Sequence, residues 1–583
     1  MPFSFKLILI AFVSLSLIHP VYAQQISDAN APESAGGFSG KKALVADQFM
    51  VVAAHPRAVA VGYQVLKQGG SAIDAMVAVQ VMLGLVEPQS SGLGGGALLV
   101  YYHANTQTLT TFDGRETAPL QASPELFLDA AGKPLSFFDA VVGGRSVGTP
   151  GTVKLLGDLH QAYGRRPWAE LLKPTISLAK KGFVVSPRLA GAIANDQQRL
   201  SRYPQTREYF FTAAGKPLPQ GYRLKNISYA RSLETLAKKG ADYFYTGPIA
   251  QSIIRQVNTA ADNPGVLSQR DFDIYTVKQR QAVCAPYKAY RVCGMGPPSS
   301  GALTIGQILG MVSHFDLHTK SPDDLVAWQV IGDASRLAFA DRGRYMADTD
   351  FVPMPEGLLD KDYLQQRAQL IVPGQALAQV QAGSPPWALP LTLADDESLE
   401  LPSTTHISIV DADGNIVSMT STIENGFGSR LMSNGFLLNN ELTDFSFRTH
   451  KDGYPIANRV EPGKRPRSSM APTIVFKGDQ PILVIGSPGG SRIIGYVAST
   501  IIAYLDWKLP LQEAINLPHL VNRFGTYDVE QGTVAEQWKT GLEELGFTVS
   551  IRDLNSGLHG IAFEQGKLVG AADPRREGLA MGD

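Results

Sequence analysis

The sequence has few cysteines, almost no net charge and few long apolar runs, and each shortage excludes a class of protein. Only two cysteines occur among 583 residues, so a cysteine-rich zinc site would lack partners. The formal net charge of −1 gives no indication of a nucleic-acid or membrane-surface partner. Beyond the N-terminus, no apolar run reaches the length of a membrane span. The 44% of hydrophobic residues instead provide for a large buried core, in a few domains or one large α/β unit.

Residues 1–23 have the pattern of a secretory signal peptide. Lys6 precedes an apolar run over 7–18, and Val21-Tyr22-Ala23 supplies a small-residue cleavage site. The alternative, an N-terminal membrane anchor, is disfavoured because the apolar run is short. We therefore expect a mature protein that begins near Gln24 and is periplasmic or secreted.

The two cysteines lie in a stretch, 281–295, whose pattern predicts two strands around residues 285–288. Such a hairpin can place Cys284 opposite Cys293, and an exported location permits a disulfide. Two buried free thiols are the alternative, because sequence does not supply the geometry that a disulfide requires.

The stretch 404–410 alternates polar and apolar residues, which predicts a strand with one polar and one packing face. After a turn, strand character resumes over 415–422. A three-residue loop with Gly414 in the left-handed conformation keeps apolar opposite apolar and places Thr404 opposite Thr422. A two-residue turn would mix apolar and polar residues on both faces, so we expect the three-residue loop.

The segment before this strand, 387–403, combines prolines with an acidic cluster, a composition typical of a mobile, exposed segment. The acidic residues are Asp395, Asp396, Glu397 and Glu400. Cleavage before Thr404 would give its hydroxyl a free α-amine on the same residue, which is a nucleophile with a built-in base. An α-amine has a pKa of about 7.7 to 8.0, which suits a general base near neutral pH. On the hairpin alone, the alternative is a Thr-rich strand pair on a solvated sheet face.

Upstream, the pattern predicts a pair of helices. Residues 56–67 have helical periodicity, and Gly69-Gly70 ends that helix. Ser71 then caps a second helix, with Asp74 at the capping-box position. The broad apolar surface of this helix predicts a central location, and Glu87-Pro88 ends it.

Three further stretches carry candidate functional groups. The glycine-rich run 92–96 precedes a strand and lacks the lysine of a phosphate loop, so we expect close backbone packing against a site. A strand over 108–112 leads to Arg115. This arginine either forms an ion pair at the surface or binds a substrate carboxylate through two N–H groups of its guanidinium. Between a strand and a helix, the glycines of 486–492 can cradle an oxyanion with backbone N–H groups or form a plain turn.

Taken together, these stretches resemble the γ-glutamyltransferase (γ-glutamyl transpeptidase) family over nearly the whole mature chain. The matching motifs are residues 69–75, Glu87-Pro88, residues 91–96, Arg115-Glu116, Thr404-Thr405-His406, Leu438-Asn439-Asn440, Lys464-Arg465-Pro466, Ser468-Ser469 and residues 486–491. The resemblance implies an α/β fold of the N-terminal-nucleophile hydrolase class, a four-layer αββα sandwich built jointly by two subunits. It implies self-cleavage before Thr404 into a large subunit, 24–403, and a small subunit, 404–583, and no metal or organic cofactor.

The resemblance also implies a role for each matching residue. The catalytic residues are Thr404 as nucleophile, Thr422 as second threonine, and Gly489 and Gly490 as the oxyanion hole. The substrate-binding residues are Arg115, Ser468 and Ser469 for an α-carboxylate, and Glu441 and Asp444 for an α-ammonium. The implied reaction attacks the γ-glutamyl amide of glutathione or a relative, forms an acyl-enzyme, and passes the acyl group to water, an amino acid or a dipeptide. The implied partners are these small molecules and the second fragment of the same chain, with no nucleic acid and no membrane.

This sequence departs from the family pattern at two places. Glu424, with Asn425 beside it, stands where the family commonly has an asparagine two positions after the second threonine. Glu424 makes the ammonium pocket unusually acidic, so we expect at least one carboxyl group there with a raised pKa. Only 19 residues (464 − 444 − 1) separate Asp444 from Lys464, fewer than in relatives with a full lid. We expect an open acceptor side, unless Tyr454 or Phe447 folds over the site.

Two other functions compete with this one. A glutaryl or cephalosporin acylase of the same superfamily takes a side chain of the same reach without the α-amine, and it has no use for the carboxylates Glu441 and Asp444. A periplasmic amino-acid-binding protein accounts for a zwitterion pocket but not for a processing site at Thr404.

Overall fold

The computed structural model describes residue 1, residues 39–396, residue 398 and residues 403–583. Residues 2–23 of the expected signal peptide, Glu397 and Glu400 lie outside the described residues. Within the described residues, no helix combines the length and the apolar composition needed to cross a membrane.

Seven antiparallel strands form the sheet that contains the Thr404 hairpin, which we call sheet I. In pairing order, its strands are β23 (Leu579–Gly582), β2 (Met50–Ala53), β10 (Ser403–Val410), β11 (Ile416–Glu424), β3 (Gly96–His103), β4 (Thr108–Gly114) and β7 (Lys278–Arg280). The hairpin β10–β11 is therefore central in sheet I, and both strands are buried along their whole length.

Seven more antiparallel strands form sheet II. In pairing order, these are β1 (Leu44–Ala46), β22 (Lys567–Ala572), β21 (His559–Glu564), β17 (Gln480–Gly486), β16 (Thr473–Lys477), β9 (Tyr290–Gly294) and β8 (Val283–Tyr287). Smaller sheets are formed by β5 (Phe183–Val184) with β6 (Arg223–Leu224), β12 (Met432–Ser433) with β13 (Phe436–Leu437), β14 (His450–Lys451) with β15 (Tyr454–Pro455), and β18 (Leu520–Asn522), β19 (Thr526–Glu530) and β20 (Thr548–Arg552).

Helices cover the outer face of each sheet. Those associated with sheet I are α1 (Pro56–Lys67), α2 (Ala72–Val86), α3 (Phe137–Val141), α4 (Thr152–Tyr163), α5 (Trp168–Lys181), α6 (Pro187–Asn195), α7 (Gln197–Leu200), α8 (Pro204–Phe210), α9 (Ile227–Lys239), α10 (Tyr243–Thr246), α11 (Pro248–Asn258) and α12 (Gln269–Asp273). Those associated with sheet II are α13 (Gly301–Val312), α14 (Leu325–Tyr345), α15 (Lys361–Ala368), α16 (Arg492–Leu505), α17 (Leu511–Asn516) and α18 (Lys539–Glu544). Short 3-10 helices occur at Leu317–Thr319, Glu356–Leu359, Glu441–Asp444 and Val534–Trp538.

Three apolar cores separate these layers. Ile407 and Val417 of sheet I pack against the α1–α12 side, and Leu483 of sheet II packs against the α13–α18 side. Between the two sheets, residues such as Val100 and Val484 form a third core. The arrangement is the four-layer αββα sandwich that the resemblance implies.

Helix α2 is the central helix that the sequence predicts. Ser71 and Asp74 form the expected capping box, in which the Asp74 N–H donates to Ser71 Oγ at 3.2 Å and the Ser71 N–H donates to Asp74 Oδ2 at 2.9 Å. All 15 residues of the helix are buried. Continuous burial explains why the helix is apolar around its whole circumference.

The predicted register of the β10–β11 hairpin is confirmed. Thr404 lies opposite Thr422 and Ile407 opposite Met419, and Gly414 has φ +81°. The solvated sheet face considered for the polar side is wrong. Thr404 and the polar residues that follow it on that face are buried, because sheet II covers them.

The glycine run before β3 packs against the hairpin, as expected. A Cβ on Gly95 would overlap the Thr422 carbonyl, and one on Gly94 would overlap the Leu437 carbonyl. Strand β13, which follows the hairpin, comprises only Phe436–Leu437. It ends early because the Asn439 side chain leaves the ladder and donates to the Gly94 and Gly148 carbonyls, at 2.8 and 2.9 Å.

The segment 387–403 was predicted to be exposed, and this prediction is wrong for Asp396. Asp396 is 6% exposed and accepts a hydrogen bond from Arg467 Nη2 at 2.9 Å. Asp395 is only half-buried, and it pairs with Arg344. Local composition does not reveal these arginines, which come from distant parts of the chain.

The predicted disulfide between Cys284 and Cys293 is confirmed, with the two residues directly opposite in the β8–β9 hairpin. The turn lies slightly later than expected, because β8 extends to Tyr287.

We expect replacement of both cysteines by serine to leave activity unchanged and to lower the free energy of unfolding by about 1 to 3 kcal/mol, because the bridged loop is short. Denaturant unfolding beside a steady-state assay measures both effects. Thiol titration of the unfolded, unreduced wild type should find no free thiol, and two reactive thiols would contradict the pairing.

Candidate active site

The Thr404 hydroxyl lies in a short chain of hydrogen bonds at the start of β10. Thr404 Oγ1 donates to Thr422 Oγ1 at 3.3 Å, and Thr422 Oγ1 donates to the Ser403 carbonyl at 2.9 Å. The Glu424 N–H donates to Thr422 Oγ1 at 2.8 Å. The strand register shifts between Ser403 and Thr404. The second threonine therefore contacts both the nucleophile candidate and the carbonyl of the bond that precedes it.

Arg576 holds the other side of Thr404, and the sequence analysis missed it. Its Nη1 donates to the Thr404 carbonyl at 3.0 Å, and its Nε donates to the Ser556 carbonyl at 2.7 Å. The guanidinium is buried, at 3% exposure of the residue. Nothing local to Arg576 indicates this contact, since 172 positions separate the two residues.

Arg115 is buried inside the candidate pocket, so the surface ion pair considered for it is wrong. Its guanidinium pairs there with two acidic side chains. Its Nη1 contacts Glu441 and its Nη2 contacts Asp444. The fork also donates to the backbone carbonyls of Pro466 and Arg467, at 3.2 and 3.0 Å. Burial lowers the pKa of Arg115, but the charges of Glu441 and Asp444 outweigh burial and hold it above its usual value.

Ser468 and Ser469 lie beside this ion pair. Ser469 Oγ accepts from Arg342 Nη2 at 2.7 Å, and Ser468 Oγ accepts from the Met470 N–H at 3.1 Å. A cavity of about 20 Å³, room for one water molecule, connects these groups with the nucleophile candidate. It is lined by Arg115, Thr404, Thr422, Glu424, Glu441, Asp444, Ser468, Ser469, Met470, Gly490 and Ile493. Nine of the ten predicted site residues therefore line one cavity.

Gly489, the tenth, directly precedes the lining residue Gly490 in the turn before α16. Both glycines have positive φ, at +131° and +62°. A Cβ on Gly489 would lie 2.7 Å from the Tyr496 ring, so the turn requires glycine there for space as well as for conformation.

Glu424 faces the cavity, whereas Asn425 turns away from it. The Asn425 carboxamide oxygen accepts from Arg430 Nη2 at 2.8 Å. Glu424 has φ +74°, and Asn440 donates to its carboxylate. Burial, and after it the charges of Asp444 and Glu441, raise the pKa of Glu424 well above its usual range. The expected raised pKa is thus found at the residue that departs from the family pattern.

Glu116 is a second acid that the sequence analysis left without a role. It is fully buried, and a Cβ on Gly96 would overlap its carboxyl group. Burial, and then the charge of Glu441, raise the pKa of Glu116 well above its usual range. Its position next to Arg115 in the sequence was the only available signal.

The segment 445–463 lies beside the cavity without lining it. Phe447 stacks on Phe127 with ring centroids 4.6 Å apart, and Tyr454 is 50% exposed. Neither residue is among those that line the cavity. The described residues contain no cluster of three or more His, Cys, Asp or Glu side chains arranged to hold a metal ion.

The fold and the site together define an N-terminal-nucleophile hydrolase of the αββα class, with a threonine at the start of a central strand. The family model described as Gamma-glutamyltranspeptidase matches residues 58–583. The chain belongs to the γ-glutamyltranspeptidase family, and it is an enzyme.

Relatives within this family carry two kinds of name. The glutathione hydrolase proenzyme of Bacillus subtilis (strain 168) is 37% identical over 556 residues, which are 93% of this chain and 92% of that protein. The acylase ACY 1 proenzyme of Pseudomonas sp. (strain SE83) is 33% identical over 553 residues, 93% of this chain and 94% of that protein. The crystal structure of cephalosporin acylase from Bacillus halodurans superposes with a TM-score of 0.82 at 25% identity, covering 95% of this chain and 99% of that chain.

Proposed function

We propose that this enzyme cleaves itself before Thr404 and then transfers the γ-glutamyl group of glutathione and related amides to water, amino acids or peptides. The proposal rests on one observation: Arg115 lies in the Thr404 cavity with Glu441 and Asp444 as its buried partners. A zwitterionic α-amino acid can replace these internal pairs, its carboxylate taking Arg115 and its ammonium taking the two acids. All buried charges then stay paired.

The proposed self-cleavage begins with Thr404 and the carbonyl group of Ser403, both of which Thr422 Oγ1 contacts. Thr404 Oγ1 attacks the Ser403 carbonyl carbon and loses its proton, the C–N bond breaks, and the Thr404 nitrogen takes up a proton to become a free amine. Water then hydrolyses the resulting ester and leaves a carboxylate on Ser403. The hydrogen bond from Thr422 to the Ser403 carbonyl, 2.9 Å long, supports this step by stabilising negative charge on that oxygen.

The same groups then act on the donor. The free α-amine of Thr404 accepts the proton of Oγ1, which attacks the γ-carbonyl of the bound glutamyl group. The glycine turn at 489–490 is proposed to stabilise the oxyanion, and the amine returns its proton to the leaving group. Water or an amine acceptor then releases the acyl group by the reverse sequence.

The names of the relatives favour a second candidate, a glutaryl or cephalosporin acylase. A glutaryl group has one carboxylate and no ammonium, so it would occupy Arg115 and leave Glu441 and Asp444 without a cation from the substrate. Burying unpaired carboxylates is costly, which favours the γ-glutamyl donor.

The two candidate functions are distinguished by incubating the purified protein in parallel with glutathione and with a glutaryl amide of similar size. We expect release of glutamate, or of γ-glutamyl products, with kcat/KM far above that for the glutaryl amide. A preference for the glutaryl amide would overturn the proposal. Export is part of the same proposal, with a mature large subunit that comprises residues 24–403.

The short segment 445–463 is expected to let water compete with amine acceptors. Phe445 is buried in an apolar cluster, Phe447 stacks on Phe127 and Tyr454 is half exposed. None of these three aromatic residues lines the cavity, so little apolar surface is available to exclude water from the acyl-enzyme. With a small donor and a saturating dipeptide acceptor, we expect a large share of the product to be free glutamate, and we expect bulky γ-glutamyl peptides to be accepted. Nearly complete transfer, together with rejection of large donors, would contradict an open acceptor side.

A further inference from the structure

Asp396 is a buried acid in the segment that precedes the proposed cleavage site by eight residues (404 − 396). The backbone around it is attached to two different parts of the fold. The Asp396 N–H donates to the Gly343 carbonyl of α14 at 3.1 Å, and the Ala394 N–H donates to the Pro455 carbonyl at 3.0 Å. These contacts attach the backbone around Asp396 to α14 and to the segment 445–463.

The Asp396 carboxylate contacts two side chains that do not themselves line the cavity. Its Oδ2 accepts from Arg467 Nη2 at 2.9 Å and from Asn458 Nδ2 at 3.2 Å. The side chains of Asp396 and Arg467 are almost completely buried, at 0% and 1% exposure. A buried, oppositely charged pair of this kind fixes the position of both partners, because separating them leaves charges in a low-dielectric interior.

Arg467 and Asn458 in turn contact both halves of the proposed amino-acid pocket. The Arg467 carbonyl accepts from Arg115 Nη2 at 3.0 Å, and Arg467 directly precedes Ser468. Asn458 Nδ2 donates to the Asp444 carbonyl at 2.7 Å, and Asn458 Oδ1 accepts from the Arg467 N–H at 3.0 Å. Arg467 therefore links Asp396 to the part of the pocket proposed for the α-carboxylate, and Asn458 links it to the part proposed for the α-ammonium.

We propose that Asp396 is a positioning residue for donor binding, through which the carboxyl-terminal tail of the large subunit shapes the amino-acid pocket of the small subunit. The inference rests on the proposed function. Asp396 does not touch the donor, and it acts by holding Arg467 and Asn458 where Arg115, Ser468 and Asp444 can receive the α-carboxylate and the α-ammonium. After cleavage, the tail remains a component of the site as far as Asp396.

Asp396→Asn tests this role, and Asp395→Asn is a matched control one residue away. Asp395 undergoes the same chemical change but pairs with Arg344 at the surface, with its side chain 45% exposed. We expect Asp396→Asn to cleave itself normally and to raise KM for glutathione by about 10- to 100-fold with kcat changed much less, since small displacements of positioning groups have effects of this size. Asp395→Asn should match the wild type.

Competitive inhibition by free L-glutamate gives a second readout that does not depend on the chemical step. Glutamate carries the α-carboxylate and α-ammonium, so its Ki should rise by the same factor as KM in Asp396→Asn. A general loss of stability would lower the amount of active enzyme and leave KM and Ki unchanged. If KM and Ki stay at their wild-type values, or if Asp396→Asn blocks self-cleavage, the proposal is wrong.

If Asp396→Asn does not fold, Asp396→Glu provides a second test of the proposal. It keeps the charge but displaces the carboxylate by one methylene, so we expect a smaller rise in KM and Ki in the same direction, and wild-type values for both would overturn the proposal. A wild type without activity on γ-glutamyl donors would instead overturn the proposed function. The two failures are thus distinguishable in one set of assays.

Discussion

Thr404→Ala is expected to accumulate as one uncut chain with activity reduced by about 10⁴-fold or more, the scale on which enzymes lose activity when the nucleophile is removed. In the proposed reaction, Thr404 supplies the attacking oxygen for self-cleavage, and its released amine supplies the base for the later steps. In the uncut chain this oxygen contacts Thr422, whose hydroxyl contacts the Ser403 carbonyl.

The wild type should give a small subunit of 180 residues (583 − 404 + 1) that begins at Thr404 and a large subunit of 380 residues (403 − 24 + 1) that begins near Gln24. A denaturing gel, intact mass measurement and N-terminal sequencing of both fragments check these lengths. Thr405→Ala is the matched control. The Thr405 hydroxyl is buried without a hydrogen-bond partner among the described residues, so this variant should cleave and remain active. A small subunit that begins elsewhere, or cleavage of Thr404→Ala, would refute the assignment.

Asp444→Ala is expected to lower kcat/KM for glutathione by about 10²- to 10³-fold, equivalent to about 3 to 4 kcal/mol, because it removes one partner of a buried ion pair. Asp444 contacts Arg115 and lines the cavity, so its loss removes an ammonium partner and also disturbs the carboxylate fork. The effect should be mainly on KM, because the α-ammonium is bound in the ground state as well as in the transition state.

Glu424→Gln is the informative comparison for Asp444→Ala. Burial, and after it the charges of Asp444 and Glu441, raise the pKa of Glu424 well above its usual range, which favours the neutral carboxyl form, and glutamine is nearly isosteric with that form. We expect only a modest rise in KM for this variant. Asp479→Ala, at an exposed position of the β16–β17 turn, should behave as wild type. Equal, negligible effects of Asp444→Ala and Glu424→Gln would show that neither side chain binds the donor.

Local patterns were sufficient for the elements that lie within one stretch of chain. The hairpin register followed from alternation and from one glycine in the left-handed conformation, because a shift by one residue would reverse every side chain in the strand. Helix α2 followed from its capping box and its apolar surface. Two predicted strands placed Cys284 opposite Cys293, and the structure then decided for a disulfide and against two free thiols. The residues of the cavity came from the family resemblance, since their spacing alone predicts no common site.

Only the tertiary structure shows which of the residues that line the cavity contact one another. Arg115 and Asp444, 329 positions apart, form an ion pair that no short window of sequence contains. The exposure of Asp396 was predicted wrongly from its acidic surroundings, because its partner Arg467 lies 71 positions away. Periodicity and composition report only the preferences of neighbouring residues, whereas burial and charge pairing depend on which distant segments pack together. Sequence by itself therefore determined the Thr404 strand and its register, whereas the packing of sheet II over that strand decided that its polar face is buried.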